Sequence, residues 1–296
     1  MRVSACLAAA VLGLTAAPPS ATPGRSPDRV TILYDAFGKR AGLRRDWGFA
    51  ALVEYQGKRI LFDTGNNAAT FEHNVRALGI DLRRLDYVVV SHRHGDHTSG
   101  LNYLLRVNPR VRIYAPREGF GVFGNAVPFP FVRGDSTLPP EQRYFGGALP
   151  ETLVAGTPWP AANFVWLDST VRIGPGVSIV ATVSDRPGTL ELKELSLVLE
   201  TPQGAVILVG CSHPGIERIM EAAAAVSPHP HLIMGGLHLV AAPDVEIERI
   251  ALALRGRFQL DLIAPGHCTG EPAFAALRRV FATAYRYAGL GEAIPL

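Results

Sequence analysis

Cysteine is nearly absent from this chain. Three in 296 residues, Cys6, Cys211 and Cys268, are too few for a disulfide framework. Charge is also sparse, at 19% of residues with a net charge of +3 and no Lys/Arg block. Arg44-Arg45 and Arg83-Arg84 are isolated pairs, which argues against nucleic-acid binding. Beyond the N-terminus no segment is long and apolar enough to span a bilayer, so stable membrane insertion is not expected. A short internal repeat is missing too. What is plentiful is apolar residue (48%), Gly (30) and Pro (23), the balance of a loop-rich globular enzyme rather than a coiled coil or a disordered chain. The length suits one large domain or two small ones.

Arg2 precedes an apolar run, Val3 to Ala17, of signal-peptide length, and Pro18 to Pro27 follows as a linker. Residues 1–27 therefore read as a leader and linker, with export to a periplasm or the exterior expected, and residues 28–296 as the enzyme domain. The competing reading is an untrimmed tail on a cytoplasmic protein.

Apolar runs ending in Gly, Asp or His alternate with helical patterns, which predicts an α/β sandwich with ligands at strand ends. Val30–Tyr34 reads as a strand, Gly48–Tyr55 and Arg59–Phe62 as a hairpin, and Ala68–Leu78 as a helix. Thr98 is placed to cap a helix running to Val107. Asn163–Leu167, Val171–Ile173 and Val177–Val183 read as a meander, and Glu271–Tyr287 as the last helix. Between them, residues 117–166 are rich in Gly, Pro and aromatics. A loop this long suggests a lid or substrate wall, with Arg117 and Arg133 offered to an anionic small-molecule substrate.

The densest chemistry lies in Ser91–Gly100, where His92, His94, Asp96 and His97 follow a buried apolar run. Imidazole and carboxylate are ligands of borderline and hard divalent ions. In extended backbone His92 and His94 face the same side. Gly95 then turns the chain, so Asp96 and His97 can face a second ion. Three further strand ends carry histidine, at His213, His238 and His267, and strand ends on one sheet edge converge. His73, His229 and His231 lack that placement and read as ordinary surface residues. Asp63, which ends another apolar strand, reads either as support for the metal loop or as a turn former.

Asp63-Thr64-Gly65, the His-x-His-x-Asp-His run at 92–97 and Pro265-Gly266-His267 resemble the metallo-β-lactamase fold superfamily, over essentially everything after residue 28. Trp47-Gly48-Phe49, Gly210-Cys211-Ser212-His213, Gly235-Gly236-Leu237-His238-Leu239 and His267-Cys268-Thr269-Gly270 resemble its dihydropterin–ribofuranosylaminobenzene phosphate synthase-like metal-dependent hydrolases. The resemblance implies a four-layer αββα sandwich with one or two divalent ions, zinc first and manganese or iron as alternatives. It implies His92 and His94 at the first ion, Asp96, His97 and His267 at the second, and Asp63 in support.

Two positions depart from the superfamily pattern. Asp185-Arg186-Pro187-Gly188 stands where a His-x-Pro-Gly-like turn is usual, and Cys211 where a bridging Asp is usual. The third ligand of the first ion is thus open between His213, Asp185 and Cys211, while Cys268 is expected to pack beside or support a ligand. Two ions about 3.5–4 Å apart lower the pKa of a water between them towards neutral. Asp96 is then a candidate proton acceptor, and His213 or His238 a candidate donor to the leaving group. Hydrolysis of an ester, lactone or phosphoester is expected. The transferase reaction that the synthase-like resemblance implies and a non-hydrolytic metal-binding or redox module are the alternatives.

Overall fold

In chain order the strands are β1 (Arg29–Tyr34), β2 (Ala50–Tyr55), β3 (Lys58–Phe62), β4 (Tyr87–Val89), β5 (Ile113–Pro116), β6 (Ala126–Pro128), β7 (Thr152–Val154), β8 (Phe164–Leu167), β9 (Val171–Gly174), β10 (Val177–Val183), β11 (Lys193–Thr201), β12 (Gly204–Val209), β13 (Pro230–Gly236), β14 (Leu262–Gly266) and β15 (Ala293–Pro295). The helices are α1 (Ala68–Ala77), α2 (Gly95–Thr98), α3 (Leu101–Val107), α4 (Ile216–Ala224), α5 (Asp244–Gly256) and α6 (Glu271–Phe281). This computed structural model describes residues 27–117, 126–128, 133–148, 152–154, 159 and 161–296. The expected leader, apart from Pro27, lies outside the described residues, as do Phe120, Phe123, Phe129 and Phe131 of the expected lid.

The strands form two mixed sheets, with β6 and β7 paired apart from both. The first runs β15-β1-β2-β3-β4-β5-β8 and the second β14-β13-β12-β11-β10-β9. Val30, Ile32, Val53, Ile60 and Phe62 of the first sheet meet Ile179, Leu195, Leu197, Leu208 and Met234 of the second in one buried core. The opposite strand faces are equally apolar and are covered by helices, the arrangement expected of strands buried on both sides. α1 and α3 cover the first sheet, and α4, α5 and α6 cover the second. α5 shows why: Ile247, Ile250, Ala251 and Leu254 recur at helical spacing and are all buried. The result is the expected αββα sandwich.

Three expectations change. Phe164–Leu167 does not start a meander: it pairs parallel to β5 in the first sheet, while β9 and β10 belong to the second. Alternation alone cannot tell which sheet a strand joins. Thr98 does not cap a helix. Its hydroxyl donates back to the His94 carbonyl (3.1 Å) inside α2, and α3 starts only after Gly100. Glycine is needed there because a Cβ would overlap the Thr64 carbonyl oxygen. Finally, α6 stops at Phe281, where Ala282 turns left-handed (φ 48°). The remaining chain returns to pair β15 antiparallel with β1. Among the described residues no helix is long and apolar enough to cross a membrane.

Candidate metal centre

Parallel strands set the positions of the site loops. The chain leaves β4 into Ser91–His97, β12 into Cys211–His213, β13 into His238 and β14 into His267. β12, β13 and β14 are parallel neighbours, so their loops open on one edge. The motif loop reaches the same edge from the other sheet, and Leu195 of β11 donates its N–H to the Ser91 carbonyl (2.8 Å) across the gap.

Two groups of donor atoms result. His92 Nε2 and His213 Nε2 each lie 3.1 Å from His94 Nδ1. In the second group, His97 Nε2 lies 3.1 Å from His267 Nε2 and 3.2 Å from Cys211 Sγ. Asp96 Oδ2 is 3.2 Å from His267 Nε2 and 3.6 Å from His97 Nε2. Tetrahedral bonds of about 2.0–2.1 Å would hold nitrogen donors about 3.3 Å apart, so both groups are spaced to share a cation. All but His94 and Asp96 of these side chains are buried. Nδ1 of His213 and of His267 is buried with no hydrogen-bond partner among the described residues.

The surrounding hydrogen bonds fix which ring nitrogens are bare. Asp63 takes the N–H (2.7 Å) and hydroxyl (2.7 Å) of Ser91 and faces His97 Nδ1 at 2.7 Å. A carboxylate there holds a proton on Nδ1, so in the neutral ring the lone pair of His97 lies on Nε2. The Ser91 hydroxyl, committed to Asp63, accepts from His92 Nδ1 (2.8 Å), and His92 Nε2 is bare by the same logic. Asp63 is thus a loop-supporting residue in this geometry, with a left-handed backbone (φ 57°) that folds it under the motif.

Burial dominates the electrostatics of the all-imidazole group. It pushes His92 and His213 well below the ordinary histidine range and His94 down to about 4, with neighbouring imidazoles adding to it at His92 and His213. The mixed group behaves oppositely. At His97 the Asp96 and Asp63 carboxylates outweigh burial and raise the pKa to about 9. Burial alone would raise Asp96, but His97 and His267 bring it well below the carboxylate range. Cys211 is pushed up by burial.

Asp185 is not part of the site. It is exposed and paired with Arg218 (2.5 Å) on the outside of the turn that includes Pro187, whereas the His213 ring lies beside those of His92 and His94. Cys211 stands in the mixed group instead. Arg117 and Arg133, offered to an anion, are engaged by carboxylates of the chain, Asp168 (2.5 Å) and Asp244 (2.8 Å). His238 is exposed, with its ring 4.2 Å from that of His213. His73 contacts the Gly42 carbonyl oxygen, and His229 and His231 both contact Asp261, away from the site as expected.

Three functional neighbours escape a reading of the sequence. Glu194 of β11 is fully buried and accepts the N–H groups of Cys211 (2.9 Å), Ser212 (2.6 Å) and His213 (2.8 Å). One carboxylate therefore holds the turn that supplies both donor groups. Burial pushes it up to about 7, against those three hydrogen bonds. Asp35 accepts the His267 N–H (3.0 Å) from beneath β14. Tyr144, from the loop-rich insertion, donates its hydroxyl to the His267 carbonyl and packs on Trp47 (ring centroids 5.0 Å apart). The signal for Asp35 was a carboxylate at the end of an apolar strand, the same signal that singled out Asp63. Glu194 was visible only as one acid ahead of an apolar strand.

Residues 48–267 match the family model described as the metallo-beta-lactamase superfamily. The chain is 26% identical over 270 residues to 7,8-dihydropterin-6-methyl-4-(beta-D-ribofuranosyl)-aminobenzene-5'-phosphate synthase of Methanocaldococcus jannaschii, covering 81% of this chain and 86% of the relative. The fold is similar to that of Tm1679, described as a metal-dependent hydrolase of the beta-lactamase superfamily. The TM-score is 0.69 at 26% identity, covering 91% of this chain and 99% of that one. YhfI of Bacillus subtilis, a metallo-beta-lactamase fold protein, shares the fold at a TM-score of 0.56 and 14% identity, covering 90% and 98%.

Proposed function

Because the chain belongs to the metallo-β-lactamase superfamily, we propose that it is a metal-dependent hydrolase of a small ester, lactone or phosphoester. The observation that carries this reading is the pairing of two donor groups, one all-imidazole and one mixed, at the shared edge of the two sheets. His92, His94 and His213 would hold one divalent cation, and Asp96, His97, Cys211 and His267 the other. Zinc fits three imidazoles in one group and a thiolate in the other, with manganese or iron as alternatives. When bound, such ions lower the pKa of water and polarise a carbonyl or phosphoryl oxygen.

The chain's own residues set the rest. Asp63 and Ser91 hold the Nδ1 protons of His97 and His92, so that Nε2 of each ring is the atom turned to a cation. Glu194 fixes Cys211 and His213 through their backbones. Asp96 stays ionised throughout the working pH range, which suits a ligand; accepting a proton from the attacking water is its secondary role. The test is to strip the purified chain with a chelator, count the ions lost, and restore zinc, manganese or iron against lactones, phosphodiesters and β-lactams. Activity should vanish and return with metal. Full turnover by metal-free chain would sink the reading. The M. jannaschii similarity favours a synthase-type transfer as the second reading, and a dihydropterin substrate in the same panel separates the two.

A further inference from the structure

We propose that Cys211, Cys268 and His238 form a third cation site, rich in thiolate, that takes a soft or borderline ion of the zinc and cadmium class. It would share the Cys211 sulfur with the mixed donor group. The donor atoms of the three residues lie within 4.8 Å of one another, and neither cysteine is in a disulfide. Metal–sulfur bonds of about 2.3 Å at a tetrahedral angle separate two sulfurs by about 3.8 Å, within that spread.

Local backbone builds the seat. Cys268 follows His267 in the turn after β14 and is buried, with its Sγ 3.5 Å from the Cys211 carbonyl oxygen. Gly236 ends β13, and a Cβ there would stand 2.6 Å from Cys268 Sγ, so the sulfur occupies space that only glycine leaves. Two residues later His238 adopts a left-handed backbone (φ 51°) and stands at the exposed mouth beside His213. His238 belongs to neither of the other donor groups.

Donor softness separates this site from its neighbours. The other two groups offer nitrogen, one carboxylate and the shared sulfur. This one offers two sulfurs and a nitrogen, which favours soft cations and disfavours oxygen-seeking ions such as manganese. His238, expected from the sequence to face substrate, is here a ligand, and the mouth of the centre discriminates between metals.

The test is a titration of the metal-free full-length chain with Cd²⁺ and, separately, with Mn²⁺. Bound ions are counted by elemental analysis, and thiolate–cadmium charge transfer is followed in the ultraviolet. Wild type should bind about three Cd²⁺ but only about two Mn²⁺. Cys268→Ser and His238→Ala should each reduce cadmium to about two, with Cys268→Ser also losing about half of the charge-transfer band. His238 is exposed, so its variant reports on the site even if Cys268→Ser misfolds. Saturation of wild type at about two Cd²⁺, unchanged in His238→Ala, would overturn the proposal. So would finding Cys211 and Cys268 joined as a disulfide in freshly isolated protein. The proposal rests on the two-ion reading only through Cys211. Binding of no metal at all removes both, whereas two ions of either kind and no third removes this one alone.

Discussion

The two donor groups lie side by side yet differ in kind. His92, His94 and His213 are neutral imidazoles whose pKa values burial depresses. Asp96, His97, Cys211 and His267 include a carboxylate and a thiol, and there His97 is raised to about 9. In the first group each ring therefore stays neutral near neutrality with one nitrogen lone pair free, and Ser91 fixes which one at His92. In the second, His97 of the metal-free chain is protonated near neutrality, so Asp63 holds the Nδ1 proton while a cation must displace the one on Nε2. The difference teaches that a cation meets neutral rings at one position and must compete with a proton at the other.

The sharpest break of that comparison is the double variant His92→Ala, His94→Ala. It removes two of three donors from the imidazole group and leaves the mixed group whole. Turnover should fall by at least roughly a thousandfold, with one ion lost per chain by elemental analysis. Next comes Asp63→Asn, which removes support from the mixed group. Metal affinity or activity should drop by about 10–100-fold, with the second ion losing more than the first, which Asp63 reaches only through Ser91. Glu194→Gln acts on both groups through one turn. It should cost about 1–3 kcal/mol in thermal or denaturant unfolding and loosen both ions.

Acid sharpens the contrast. His94 titrates at about 4 in the folded metal-free chain and near 6.5 when unfolded, and His92 and His213 shift in the same direction. The folded state therefore binds fewer protons than the unfolded state in this window. The stability from these groups is fully present above about 6.5 and is lost as pH falls through about 4. His97 has the opposite sign: its contribution is fully present below about 6.5 and is lost as pH rises through about 9. Unfolding of the metal-free chain across pH should show losses at both ends. The smallest effect belongs to Asp185→Ala, which breaks an exposed ion pair with Arg218 and should change stability by less than about 1 kcal/mol, with activity unchanged.

Much of this was legible in the sequence because strand ends carry their own punctuation. An apolar run followed by Asp63, His92, His213, His238 or His267 announces a residue that leaves a sheet at its edge. What stayed hidden depends on contacts between distant segments. Asp185, Cys211 and His213 read alike as candidates until the turns were placed in space, and only then does Asp185 fall on the outside with Arg218. Glu194 lies inside a strand, and its partners are three N–H groups from the loop after the next strand. β15 is three residues long and is held by pairing with β1, a contact no local pattern encodes. The sheet joined by Phe164–Leu167 was hidden for the same reason.

Each donor group draws on both halves of the chain. His92 and His94 leave the first sheet while His213 leaves the second, and Asp96 and His97 meet Cys211 and His267 across the same seam. A cation in either group is thus a rivet between two layers that otherwise adhere through apolar contact. Loading the centre would resist shear of one sheet over the other at this edge and leave the far edge free to breathe. Amide exchange should then slow most at the ends of β4, β12 and β14, and little at the β2–β3 turn on the far side.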